Sequence, residues 1–275
     1  MALPSAIAAT VDVGSQPWRH RHIIHALAAR ELSARFRGSL FGGLWAVLQP
    51  IAVVLIFYYV LVVIFQARWA PDSTSGGDFI VGMFLGLLAF NLLAETVGRS
   101  TGVITANVNY VKKIVFPITV LPIVQLAYAC VNWGIGILVL IVFGLAWGLV
   151  TPTLSWLALP LCMVPVILWA IGLGWLTSAL NVYFRDTAVV VPLLLQTTMF
   201  LSPVFYNLDR IPPQMQQALK WSPLAMPITE TRQIVMQAAV FNPWNLLLPT
   251  LTGTLVLVLG YLFFRRVKPG FADVL

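Results

Sequence analysis

Residues 114–184 read IVFPITVLPIVQLAYACVNWGIGILVLIVFGLAWGLVTPTLSWLALPLCMVPVILWAIGLGWLTSALNVYF, 71 positions without one Asp, Glu, Lys or Arg. A helix crosses ~30 Å of hydrocarbon with about 20 apolar residues. The stretch is too long for one such helix and suits two, broken at LVTPTLSW around Pro152. Spans are therefore expected at 118–149 and 155–181. Working outward adds four more. The first lies within 38–67, around IAVVLIFYYVLVVIF, and the second runs from Phe79 past Glu95 and Arg99 to Ala106. The fifth runs from Thr187 to Leu201 and ends at Ser202-Pro203. The sixth runs from Trp244 to Phe264, between Asn242-Pro243 and Arg265-Arg266. The expected fold is an all-α integral membrane protein with six transmembrane helices.

Composition excludes the other classes. Of 275 residues, 60% are hydrophobic and 9% charged, against roughly 25% charged in a soluble domain. So few charges cannot cover a water-soluble globule, and a disordered chain would be poor in apolar residues. The net charge of +7 is not a nucleic-acid signal, because the bases flank apolar spans as membrane orientation requires. Cys130 and Cys162 both fall in apolar stretches, so neither a disulfide framework nor a metal site is expected. The N-terminal MALPSAIAATVDVGSQPW lacks a basic segment followed by an apolar block, so no cleaved signal peptide is read.

Six crossings put both termini on one side. That side receives Arg19, Arg21, Arg30, Arg35, Arg37, Arg99, Lys112, Lys113, Arg185, Arg265, Arg266 and Lys268; the other receives Arg68, Arg210, Lys220 and Arg232. The asymmetry makes the first side cytoplasmic. Residues 1–37 then form a cytoplasmic N-terminus whose segment 17–37 is an amphipathic interface helix. Residues 38–265 form the six-span domain and 266–275 a cytoplasmic tail. The link 107–116 is short, cytoplasmic and closed by Pro117. The external segment 203–243, apolar at helical spacing in its second half, fits short re-entrant helices between spans five and six.

Catalytic signatures are missing. A phosphate-binding loop needs G-x-x-x-x-G-K-[ST], and the chain has no Gly-Lys dipeptide. His20, His22 and His25 cluster before the first span, where interface histidines are expected rather than a metal site. Glu95 and Arg99 stand one turn apart on the second span, a spacing that allows an ion pair. The chain reads as a conduit rather than a catalyst.

Four ordered segments carry a resemblance. Arg35-Phe36-Arg37-Gly38-Ser39-Leu40-Phe41-Gly42-Gly43-Leu44-Trp45 continues to Leu48-Gln49-Pro50. Val111-Lys112-Lys113-Ile114-Val115-Phe116-Pro117 precedes Leu121-Pro122. Asn181-Val182-Tyr183-Phe184-Arg185-Asp186 is followed by Ser202-Pro203-Val204-Phe205-Tyr206, and Ser222-Pro223-Leu224 has Arg232 downstream. Together they resemble the permease subunits of ATP-binding-cassette exporters of polysaccharides, the Wzm-type branch related to teichoic-acid and capsule exporters. Thr119 stands where many relatives carry Glu, and Ser222 where many carry Asn; the first departure puts in doubt a carboxylate contact with the partner ATPase.

The resemblance implies a homodimer bound to two copies of a separate nucleotide-binding subunit, in the bacterial inner membrane. ATP and Mg would sit on that partner, and this chain would bind no cofactor of its own. The cargo implied is an undecaprenyl-diphosphate-linked polysaccharide such as O-antigen. Coupling to the ATPase is then expected at Asn109, Tyr110, Val111, Lys112 and Lys113, and at the Arg185-Asp186 turn, with Tyr110 and Val111 contributing by packing. Arg35 and Arg37 are expected at the lipid-diphosphate entrance, because guanidinium forks bind phosphate oxygens bidentately. Aromatic faces stack on sugar rings, which nominates Tyr58, Tyr59, Phe84, Phe90, Trp133, Phe200 and Phe205 as channel lining. Two alternatives remain at this level: a membrane-embedded enzyme acting on lipid-linked sugars, and a permease for small lipids or drugs.

Overall fold

A computed structural model describes residues 18–36, 41–66, 76–112 and 116–275, and its regular elements are helices. In chain order these include α1 (Arg21–Phe36), α2 (Gly42–Ile64), α3 (Gly77–Thr101), α4 (Val108–Lys112) and α5 (Val120–Ala146). There follow α6 (Leu154–Tyr183), α7 (Thr187–Leu201), α8 (Pro213–Leu219), α9 (Ala225–Met236) and α10 (Pro243–Val274). Five of them, α2, α3, α5, α6 and α10, are long and apolar enough to cross a membrane. The expected fifth span forms as α7, an apolar helix of 15 residues. At 1.5 Å per residue it reaches about 22 Å, less than ~30 Å of hydrocarbon. Arg37 and Lys113, together with residues 1–17, lie outside the described residues.

The uncharged stretch turns back four residues before Pro152. Gly148 takes a left-handed φ of +65°, its N–H bonds Leu145 O, and the Leu149 N–H reaches back to Gly144 O at 2.8 Å. This pair of bonds is the Schellman ending of a helix, in which the residue past the C-cap favours Gly. The sixth span also ends later than expected. Arg265 and Arg266 do not stop α10; they occupy its last α-helical turn, where cations complement the unpaired carbonyls. A 3-10 turn at Lys268–Gly270 then leads into Phe271–Val274.

Helix α3 is the centre of the bundle, buried along most of its length and packed on α5, α6, α7 and α9. Its small residues permit this. A Cβ on Gly86 would lie 3.0 Å from Val204 Cα. By contrast, α2 has no buried position, and α7 buries only Val191. The apolar face of α1 packs on the start of α5, where Ala28 meets Val120 and Val124 beside Ile24 and Leu27.

The closest crossing joins α6 and α10 through backbone. A Cβ on Gly260 would stand 2.1 Å from Gly172 O, and one on Gly172 would stand 2.6 Å from Val256 O. Membrane helices associate through such small-residue contacts. Because the obstacle is a carbonyl rather than a movable side chain, Gly260→Val should part the helices and destabilise by about 2–3 kcal/mol or more. Thermal unfolding of the purified protein checks this, and an unchanged midpoint would mean that the helices slide freely.

Candidate functional site

The end of the bundle that carries α1, α4, Arg185 and Arg265 is called here the basic end. There α1 is tied to α3 and α5 by a polar network. Arg99 Nη2 donates to Glu31 Oε2 at 2.6 Å, and Arg99 Nε donates to Gln125 Oε1 at 2.8 Å. The Arg99 guanidinium carbon lies 4.1 Å from the centre of the Tyr128 ring. Arg35 donates to the Tyr128 hydroxyl and, at 2.6 Å, to Gln49 Oε1 on α2.

This arrangement corrects the expected Glu95–Arg99 pair. Arg99 turns to the carboxylate of α1, whose side chain also receives Gln125 Nε2 at 3.4 Å. Glu95 instead accepts from Asn132 Nδ2 on α5 at 2.7 Å. The i, i+4 spacing allowed the pair, but Glu31 and Gln125 offer Arg99 more acceptors than Glu95 alone could. Sequence spacing along one helix cannot show that α1 folds across its end.

Of the residues expected to couple to an ATPase, those described are gathered at this basic end. The Tyr110 ring stacks on Phe116 at 4.4 Å and 16°, and its hydroxyl accepts from Arg30 Nη1 at 3.2 Å. Tyr110, Val111 and Phe116 join an apolar cluster with Val182, Phe264 and Phe271. Tyr183, one helical end away, donates to Val267 O at 2.8 Å, and its ring lies 6.0 Å from Phe271. Asn109, Lys112, Arg185 and Asp186 stand exposed on this body. Sequence reading missed Phe271. It is fully buried and fastens the last turn of the chain to the link, although its position beyond the basic pair marked it as tail.

The aromatic set falls in separate places. Tyr58 and Tyr59 are exposed on α2. Phe200 stacks on Phe205 at 6.0 Å, and Phe205 meets Phe57 at 5.8 Å. Phe84 and Phe90 are buried in the core of the single chain. Trp133 lines a recess between α2, α3 and α5.

At the opposite end, Arg232 forms a clamp inside the protein. Only 6% exposed, it donates from Nε to Gly82 O at 2.8 Å, from Nη2 to Val204 O at 2.7 Å and from Nη1 to Tyr206 O at 3.2 Å. Helix α9 thereby holds the Ser202–Tyr206 turn against α3. Glu230, also buried, accepts from Asn245 Nδ2 and from the Asn242 N–H, which fixes the start of α10. The sequence signal for both was present: charges set into a helix with apolar spacing. Among the described residues no three His, Cys, Asp or Glu side chains group as a metal site.

Residues 22–236 match the family described as ABC-2 type transporter. The chain is 27% identical over 254 residues to the O-antigen export system permease protein RfbA of Klebsiella pneumoniae, covering 92% of this chain and 95% of that protein. It is 29% identical to the RfbA of Myxococcus xanthus, covering 74% and 75%. The polysialic acid transport protein KpsM of Escherichia coli is 28% identical, covering 88% and 92%.

Proposed function

The chain belongs to the ABC-2 type transporter family, and from that premise we propose that it is the membrane permease of an ATP-driven polysaccharide exporter. The cargo is an undecaprenyl-diphosphate-linked glycan of the O-antigen or capsular kind, moved across the bacterial inner membrane. The observation that carries this reading is the convergence of three of the four segments that resemble exporter permeases. Val111 and Phe116 of the link and Val182 of the Asn181–Asp186 turn share one packed body at the basic end. The Ser202–Tyr206 turn is held by Arg232, downstream of Ser222-Pro223-Leu224, at the other. A conduit driven from one end needs such paired rigid ends joined by long helices.

In this reading the basic end faces the cytoplasm with both termini, and α7 serves as the fifth crossing. A lone 15-residue helix cannot satisfy its ends within ~30 Å of lipid. Cover from a second copy of the chain meets that need, and the exposed faces of α2 and α7 supply the surface for a homodimer. Two ATPase subunits, carrying ATP and Mg, press on Asn109, Lys112, Lys113, Arg185 and Asp186, with Tyr110 and Val111 packed behind. Arg35, with Arg37, marks the lipid-diphosphate entrance. Tyr58, Tyr59, Phe84, Trp133, Phe200 and Phe205 line the glycan path, while Phe90 reaches it only if the helices part. The segment between α7 and α10 dips into the outer leaflet.

The purified chain should hydrolyse no ATP, whereas the chain reconstituted with a P-loop ATPase encoded beside it should do so and restore surface glycan to a deletion strain. ATP turnover by the chain alone, or full surface glycan without it, overturns the reading.

A further inference from the structure

The recess between α2, α3 and α5 holds about 100 Å3 and has a wall unlike the rest of the bundle. On it meet the Trp133 indole, the amides of Gln49, Asn91 and Asn132, the Glu95 carboxylate and the Arg35 guanidinium. Ala129 and Gly136, one turn to either side of Asn132 and Trp133 on α5, complete the wall, and Gly136 lets the Leu88 side chain of α3 pack against the α5 backbone. Polar and ionisable groups within membrane helices are costly and mark functional positions.

The groups are held in place. Asn132 Nδ2 donates to Glu95 Oε2 at 2.7 Å, and Arg35 is fixed by Gln49 and the Tyr128 hydroxyl. Asn91, one turn before Glu95 on the same face of α3, is exposed. A carboxylate offers about four acceptor positions, so Glu95 retains capacity toward a ligand beyond the bond from Asn132.

The chemistry selects among ligands. One anion and one cation balance, so the wall has no net attraction for a metal ion or a charged drug. Hydrocarbon would leave the amides and charges unsolvated. It fits the neighbouring cavity of about 470 Å3, whose lining includes Val54, Leu55, Ile80 and Phe143 and carries no amide or charged side chain. A neutral ring that presents hydroxyls as both donors and acceptors, and a flat C–H face to an aromatic side chain, uses every group on the smaller wall. We propose that this recess is a subsite for one pyranose ring of the lipid-linked saccharide, with Trp133 stacking on the ring and Glu95, Asn132 and Asn91 bonding its hydroxyls. The proposal rests on the polysaccharide-export reading and deepens it by naming where the sugar is held.

The test uses the permease with its ATPase partner in lipid nanodiscs and two probes, undecaprenyl diphosphate bare and bearing one N-acetylhexosamine, with binding read by native mass spectrometry. The wild type should prefer the sugar-bearing lipid. Trp133→Ala, Asn132→Ala and Glu95→Gln should each weaken that lipid about tenfold while leaving the bare lipid within about twofold. Trp133→Phe, which keeps an aromatic face, should retain the preference, and undiminished binding of the bare lipid shows that each variant is folded. A wild-type preference that survives all three substitutions, or equal loss of both lipids, overturns the subsite alone. Wild-type protein that binds neither lipid overturns the export reading and the subsite together.

Discussion

Arg232→Leu should disorder the end of the bundle opposite the basic end and stop export. The guanidinium supplies donors to three backbone carbonyls, those of Gly82, Val204 and Tyr206. Leucine fills much of the volume but leaves the Val204 and Tyr206 carbonyls of the turn without this donor, while Gly82 O keeps its bond within α3. Each unmet buried acceptor costs about 1–3 kcal/mol. Two of them outweigh the gain from no longer desolvating a cation, which puts the loss on the order of 2–4 kcal/mol. Arg232→Lys keeps the charge but replaces the planar fork with a single ammonium, so it should recover part of the stability. Gly86→Ala should act in the same direction with a smaller effect, because its Cβ would stand 2.8 Å from Arg232 Nη2 and 3.0 Å from the Val204 backbone. The measurements are the thermal unfolding midpoint in detergent and glycan at the cell surface. Wild-type values for Arg232→Leu in both would mean that the turn needs no clamp.

The membrane character of the chain and the course of its long helices were legible because hydrocarbon imposes one rule on every residue within it. A run without charges, such as 114–184, has few alternatives to crossing and returning. The turn itself was less legible: Pro152 drew attention, while Gly148, through its left-handed backbone, ends the helix. The polar connections were legible as residues but not as partners. Glu95 and Arg99 share a helix face, yet each bonds across to another helix, because distant segments supply the acceptor and donor that close the geometry. Phe271 shows the same limit. Its burial depends on Tyr183, Phe264 and the link arriving together, and nothing local to the last residues announces it. The resemblance supplied the order of the four segments, and folding supplied the reason that order matters: the second meets the start of the third at the basic end, and the fourth meets the rest of the third at the other.

Tyr110→Ala should separate the permease from its ATPase without removing it from the membrane. The ring is not a free surface waiting for a partner. It stacks on Phe116 and takes a hydrogen bond from Arg30, so it sets the shape of the link from within. Its loss removes an aromatic contact of about 0.5–1.5 kcal/mol and apolar burial at roughly 25 cal/mol per Å2. The link then loses its hold on α1 and on the Phe271 cluster. A link that yields cannot pass force, and its exposed residues, Asn109 and Lys112, no longer stand in one arrangement. Tyr110→Phe preserves the stack and forfeits only the bond to Arg30, so it should remain close to wild type. Lys112→Ala removes an exposed charge whose pairing contributes ~0–1 kcal/mol and should have little effect. Co-purification of the two subunits and surface glycan distinguish these outcomes. If Tyr110→Ala retains both while Lys112→Ala with Lys113→Ala releases the ATPase, the contact is electrostatic and the internal stack does not set the link.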